Sequence, residues 1–283
     1  MSLQLDARQR AMLAEMGIKV WLPTAENKSI PPETKVVGKA APITQPIARP
    51  IAQPVVETIA KLPTVERSLP SGINVMNWIQ LQQAVSTCNA CGLCEGRVSA
   101  VFGSKLLAEN PSNANWLIVG EHADDQEEFE SQAFVGPAGE LLDNMLKAMG
   151  LQRAPDVSQP IAKPQAFVTH AIKCKPSNHR KSTQQEIQTC HAHLKRQIEL
   201  IKPRVILAMG QSAIQSLLKE SVPDIEKMVL GKLRGEIYRY QDIPVIVTYP
   251  PSYLLKSAGD KSKAWRDLCL ALRVASGPQN AGN

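Results

Sequence analysis

The sequence is poor in aromatic side chains, which make up 4% of its 283 residues. A run of about 20 apolar residues, the length a membrane-spanning helix needs, is also missing. The second absence excludes a helical membrane span. The first leaves any core to aliphatic side chains, and a hydrophobic content of 43% allows a sizeable one. Neither a P-loop nor a G-x-G-x-x-G turn occurs. The stretch MSLQLDARQRAMLAEMG intersperses charges and lacks an apolar h-region, so no signal peptide is expected and a cytoplasmic protein is. In that reducing compartment, six cysteines argue for metal or redox use over a disulfide framework. A net charge of +6 tilts the expected partners toward anions such as nucleic acid, and localisation toward the nucleoid.

The chain divides by composition. Residues 1–21 read as a short amphipathic docking peptide. Asp6 can cap a helix over 6–16, Leu13 and Met16 share its apolar face, and Gly17 can end it before Ile18 and Trp21. Residues 22–74 read as a disordered proline-rich linker, because 22–72 hold nine of the 21 prolines and QPIARPIAQP repeats one every fourth position. Residues 75–275 carry a globular pattern, and 276–283 a disordered tail. Four apolar runs, NWLIVGE (115–121), AFVTHAI (166–172), RVILAMG (204–210) and IPVIVTY (243–249), alternate with helical stretches at 139–149, 183–201, 212–220 and 261–275. Near-continuous apolar strands alternating with helices predict a parallel sheet covered on both faces, with a site at the rim of strand ends.

CNACGLC places Cys88, Cys91 and Cys94 at two-residue intervals, Cys174 follows the second strand, and Cys190 lies sixteen positions later. A C-x2-C pair turns two thiolates toward one point, and two more complete a tetrahedron for zinc or an iron–sulfur cluster. Spacing alone does not choose between them. Cys94 is one thiol too many, and Cys269 sits on an apolar helix face.

The ordered set C88-x2-C91-x-L-x3-R97, VGE (119–121), FVGPAGELLD (134–143), VTHAIKC (168–174), Cys190, LAMG (207–210), LRG (233–235) and TYPPSYLL (248–255) resembles the iron–sulfur family 4 uracil-DNA glycosylases over residues 75–275. The resemblance implies a three-layer αβα fold with a four-stranded parallel sheet. It also implies a [4Fe–4S] cluster on Cys88, Cys91, Cys174 and Cys190. Such enzymes flip uracil out of DNA and hydrolyse its glycosidic bond.

Several expected site positions are altered. Where the family has a glycine-containing turn that positions water, this chain has GEHADDQE (120–127), which leaves Glu121, His122 and Glu127 as candidate chemical groups. Phe134 falls where an aromatic ring stacks on the flipped base. His170 replaces the asparagine that pairs with the uracil edge, and imidazole lacks that two-point geometry. Pro250 replaces the histidine near the developing negative charge, and proline has no side-chain donor and no N–H. Losing one such donor typically costs about 10²–10³ in rate. The loop Ser252, Tyr253, Leu254, Leu255 and Lys256 keeps the family's wedge shape against DNA. Lys173, Lys175, Arg180 and Lys181, in a stretch that also holds His179, are candidate phosphate contacts. Arg234 is a further one.

The arm offers a second resemblance. Leu13, Met16, Gly17, Ile18 and Trp21 are similar to the N-terminal arm of the ψ subunit of the bacterial DNA polymerase III clamp loader, which docks on clamp-loader subunits. A docking peptide, a tether and a domain with altered chemistry suggest a DNA-binding replisome adaptor with lost or reduced base excision. The alternative is an active glycosylase working through His122, His170 or Glu127.

Overall fold

In a computed structural model, the residues described are 67–104, 114–153, 164–177 and 180–277. The arm, most of the proline-rich stretch and residues 278–283 lie outside them, as does His179.

Trp78–Ser86 forms α1, opened by a reciprocal box in which Asn77 and Gln80 satisfy each other's backbone N–H. Strand β1 (Ala114–His122) leads to a short acidic helix, α2 (Asp125–Glu130), and then to α3 (Gly136–Ala148), which has a proline in its first turn. Strand β2 (Gln165–Ile172) is followed by α4 (Gln184–Ile201), which Thr183 and Glu186 cap in the same reciprocal way. Next come β3 (Val205–Met209), α5 (Gln211–Leu218), α6 (Leu230–Leu233), β4 (Ile237–Tyr240) and β5 (Ile243–Thr248). Helices α7 (Pro251–Lys256) and α8 (Lys261–Ser276) close the described chain.

The sheet runs β2-β1-β3-β5-β4. Four strands are parallel, but β4 pairs antiparallel with β5, so the expected four-stranded sheet gains a fifth, edge strand. Alternation divides the strands between two layers. Trp116, Ile118, Val168, Leu207 and Ile246 pack with Leu142 and Met145 of α3, Leu254 of α7 and Leu268 of α8. Leu117, Val119, Phe167, Ile206 and Val247 pack with Trp78 of α1, Leu194 and Ile198 of α4 and Ile214 of α5. Both faces of the sheet are therefore covered, and the strand ends form the rim where a site belongs.

TYPPSYLL is not an open loop. Pro250 occupies the N-cap of α7 and Pro251 its first turn, a position where the missing N–H costs nothing. This helix corrects one expected DNA contact: Leu254 is fully buried, whereas Tyr253 and Leu255 are exposed. Ser252 and Lys256 also face outward. Leu254→Ala should therefore cost about 2–5 kcal/mol of stability, as a buried cavity does. Leu255→Ala should change the urea midpoint little. Equal losses from the two would contradict the division of this helix into an inner and an outer face.

Candidate functional site

At the C-terminal ends of β1 and β2, Gly120 pairs in register with His170. The His170 imidazole stacks on the Phe134 ring, with centroids 4.7 Å apart and planes 23° from parallel. The contact requires glycine between the strands. A Cβ at position 120 would lie 2.5 Å from both His170 Nδ1 and Phe134 Cζ.

Phe134 is held unusually firmly. Its φ of 54° is left-handed, which is uncommon for a bulky side chain. Its N–H donates to Glu127 Oε1 at 2.5 Å, and Arg153 Nη1 donates to its carbonyl at 2.7 Å. Arg153 is itself clamped by Asp143. Gly139 lets α3 approach, since a Cβ there would meet the Phe134 carbonyl oxygen at 2.1 Å. A strained residue fixed from several sides is characteristic of a functional position.

Glu127 joins the two rings. It completes a capping box with Asp124, accepting from the Asp124 N–H at 2.9 Å. Its Oε2 also lies 3.0 Å from His170 Nε2, with both side chains buried. That approach has ion-pair distance but not hydrogen-bond alignment, and His170 has no aligned partner at either ring nitrogen. Burial alone would raise the Glu127 pKa. The His170 charge and the Asp124 and Phe134 N–H groups outweigh it and hold the carboxyl below its ordinary value.

The other candidates serve structure. Glu121 Oε1 accepts from the Gln211 N–H at 2.7 Å and the Ser212 N–H at 3.3 Å, capping α5. Its chain presses so closely on Gly210 that a Cβ there would lie 2.2 Å from Glu121 Cγ. His122 is half-buried, with Nδ1 3.0 Å from the Ala123 carbonyl.

The expected cationic loop is largely engaged, which corrects three phosphate contacts. Lys173 is 2% exposed, and its ammonium donates to Thr169 Oγ1, the His170 carbonyl and Gln197 Oε1 at 2.6–2.7 Å. Burial lowers its pKa to about 7, against the pull of the Cys190 and Cys174 sulfurs. Lys175 pairs with Asp125, and Arg180 grips Glu186 with both terminal nitrogens. Arg234 is likewise bound, bidentate to the buried Asp267 beneath Tyr249. Lys181 remains exposed.

On the far side of Lys173, Cys88, Cys91, Cys94, Cys174 and Cys190 line one cavity. Two sulfurs have N–H groups aimed at them from other elements, and a third faces a His193 ring nitrogen. Arg97 Nη1 lies 3.3 Å from Cys174 Sγ, the Lys173 N–H 3.4 Å from Cys190 Sγ, and His193 Nε2 3.4 Å from Cys88 Sγ. Burial raises the Cys174 thiol to about 11 and the Cys190 thiol to about 12. Burial also lowers His193 to about 4, leaving it neutral. Among the described residues, no three His, Cys, Asp or Glu side chains gather tightly enough for a single metal ion. A lone zinc draws its thiolates to about 2.3 Å. A cuboidal cluster holds its cysteines wider apart, on separate irons. The shared cavity and the N–H groups facing sulfur fit the cluster better. His193 was not singled out from sequence, although its i+3 spacing from Cys190 on a helix pointed to the same face.

The chain resembles known proteins across this whole region. Residues 108–270 match the family model described as the Uracil DNA glycosylase superfamily. The type-4 uracil-DNA glycosylase of Saccharolobus solfataricus is 34% identical over 176 residues, covering 60% of this chain and 74% of that protein. The type-4 enzyme of Thermotoga maritima is 32% identical over 182 residues, 64% of this chain and 84% of that protein. That of Pyrobaculum aerophilum is 29% identical over 199 residues, 69% and 93% respectively.

The Glu127 carboxyl yields a pH prediction. A folded-state pKa below the unfolded value near 4.5 contributes stability that is complete above pH 4.5 and fades as pH falls through the folded pKa. Glu127→Gln keeps a capping-box side chain but removes the charge. It should lower stability by about 1–3 kcal/mol at pH 7. The gap from wild type should narrow below pH 4.5 in thermal melts. A gap that is constant from pH 7 to pH 3 would contradict the assignment.

Proposed function

Because this chain belongs to the uracil DNA glycosylase superfamily, we propose that it is a DNA-binding protein that has kept the glycosylase fold and an iron–sulfur cluster while losing or reducing base excision. In this reading it acts as a replisome adaptor. The observation that carries the proposal is the stack of His170 on Phe134. The Phe134 face on which a flipped base would stack is covered by His170 at 4.7 Å, and Glu127 backs that ring. Admitting a base requires displacing a buried ring from its stacking partner and breaking the approach to Glu127. Pro250 then offers no donor where charge would develop on a departing base.

Cys88, Cys91, Cys174 and Cys190 would hold the cluster, which when bound ties the loop after α1 to the end of β2 and to α4. DNA contact falls to the exposed outer face of α7, through Ser252, Tyr253, Leu255 and Lys256, and to Lys181. The docking role rests on the arm, where Leu13, Met16, Ile18 and Trp21 follow the clamp-loader pattern. Among the described residues, no helix is long and apolar enough to cross a membrane.

A second reading has its own support. Glu127 and His170 form a buried acid–base couple beside an intact Phe134, which a rewired glycosylase could use. Single-turnover excision separates the two readings. Cluster-loaded protein in excess is mixed with single-stranded and duplex DNA containing uracil, hypoxanthine or xanthine. The proposal expects DNA binding without excision. Cleavage that disappears in His170→Ala or Glu127→Gln would establish the rewired enzyme instead. For the arm, removing residues 1–21 should leave fold and iron content unchanged and abolish binding to clamp-loader subunits. Undiminished binding would eliminate the docking role.

A further inference from the structure

Five thiols line a cavity at which a cuboidal cluster takes four. Cys91 precedes and Cys94 ends one 3₁₀ turn, Gly92–Cys94, in which the Cys94 N–H donates to the Cys91 carbonyl at 3.3 Å. Cys91 itself keeps an extended backbone, with φ −141° and ψ 169°. Both Cys91 and Cys94 line the cavity.

The four expected ligands are not held alike. His193 supports Cys88, Arg97 supports Cys174, and the Lys173 N–H supports Cys190, each from a different part of the chain. The backbone contact to the Cys91 sulfur comes from Leu93, inside its own turn. Cys91 is thus the ligand with least support from outside its own loop, and it has a second thiol as its immediate neighbour.

We propose that Cys94 is a reserve iron ligand that takes the Cys91 position when Cys91 is lost or displaced. The exchange is balanced. The Cys94 thiol releases a proton as its thiolate binds iron, and the departing Cys91 thiolate takes one up. No electron moves. Cys269, on α8, is not among the cavity residues.

The inference rests on the cluster reading above, and the experiment separates their failures. Full-length wild type, Cys88→Ala, Cys91→Ala, Cys94→Ala and the Cys91→Ala/Cys94→Ala double variant are prepared without oxygen. Iron and acid-labile sulfide per chain are measured with the visible absorbance, and circular dichroism reports folding. Cys94→Ala should match wild type. Cys91→Ala should keep about half or more of the wild-type iron, while the double variant and Cys88→Ala should fall roughly tenfold or more. Iron loss in Cys91→Ala as complete as in the double variant, with the fold intact, would overturn the reserve role. A larger loss in Cys94→Ala than in Cys91→Ala would overturn it too, by making Cys94 a resident ligand. Wild type without iron and sulfide would overturn both the cluster reading and this one.

Discussion

The rim of this protein depends on one contact, the stack of the His170 imidazole on the Phe134 ring beside Gly120. Glycine at 120 permits it, a left-handed φ at Phe134 aims the ring, and Glu127 supplies both the N–H acceptor that fixes Phe134 and the carboxylate beside His170. Removing any one of these would loosen the other two. The same carboxylate caps α2, so the acidic stretch 124–130 is partly internal. Glu127 and Glu128 are buried, and Asp125 pairs with Lys175.

The cysteine cavity lies just behind this rim, on the same strand. His170 sits on β2, and Cys174 follows two residues after that strand ends. Lys173 bridges the two regions: its ammonium holds the His170 carbonyl, and its backbone N–H points at Cys190. A group bound by the cysteines would therefore stiffen the strand that carries the pocket residue. Such stiffening would not depend on base excision.

Much of the scaffold was legible in the sequence because its signals were long and periodic. The four parallel strands are near-continuous apolar runs, and the long helices carry caps or apolar stripes. Strand β4 was not legible, because IYRY is half exposed and short. Helix α7 was missed because two prolines read as a loop, although proline at a helix start is favourable. Lys173 was misread from its basic neighbours. Extending the two-residue alternation of β2 by one step places it on the face of Thr169 and Ala171, toward Gln197. The His170–Phe134 stack was beyond reach, since it depends on how closely two strands and a turn approach around one glycine.

The central claim is that His170 fills the place of a flipped base. The most direct test is a crystal structure of the cluster-loaded protein with single-stranded DNA carrying a non-cleavable uracil nucleoside. The account predicts DNA along the outer face of α7, with His170 still stacked on Phe134. A uracil ring lying on Phe134, with His170 swung aside, would contradict it.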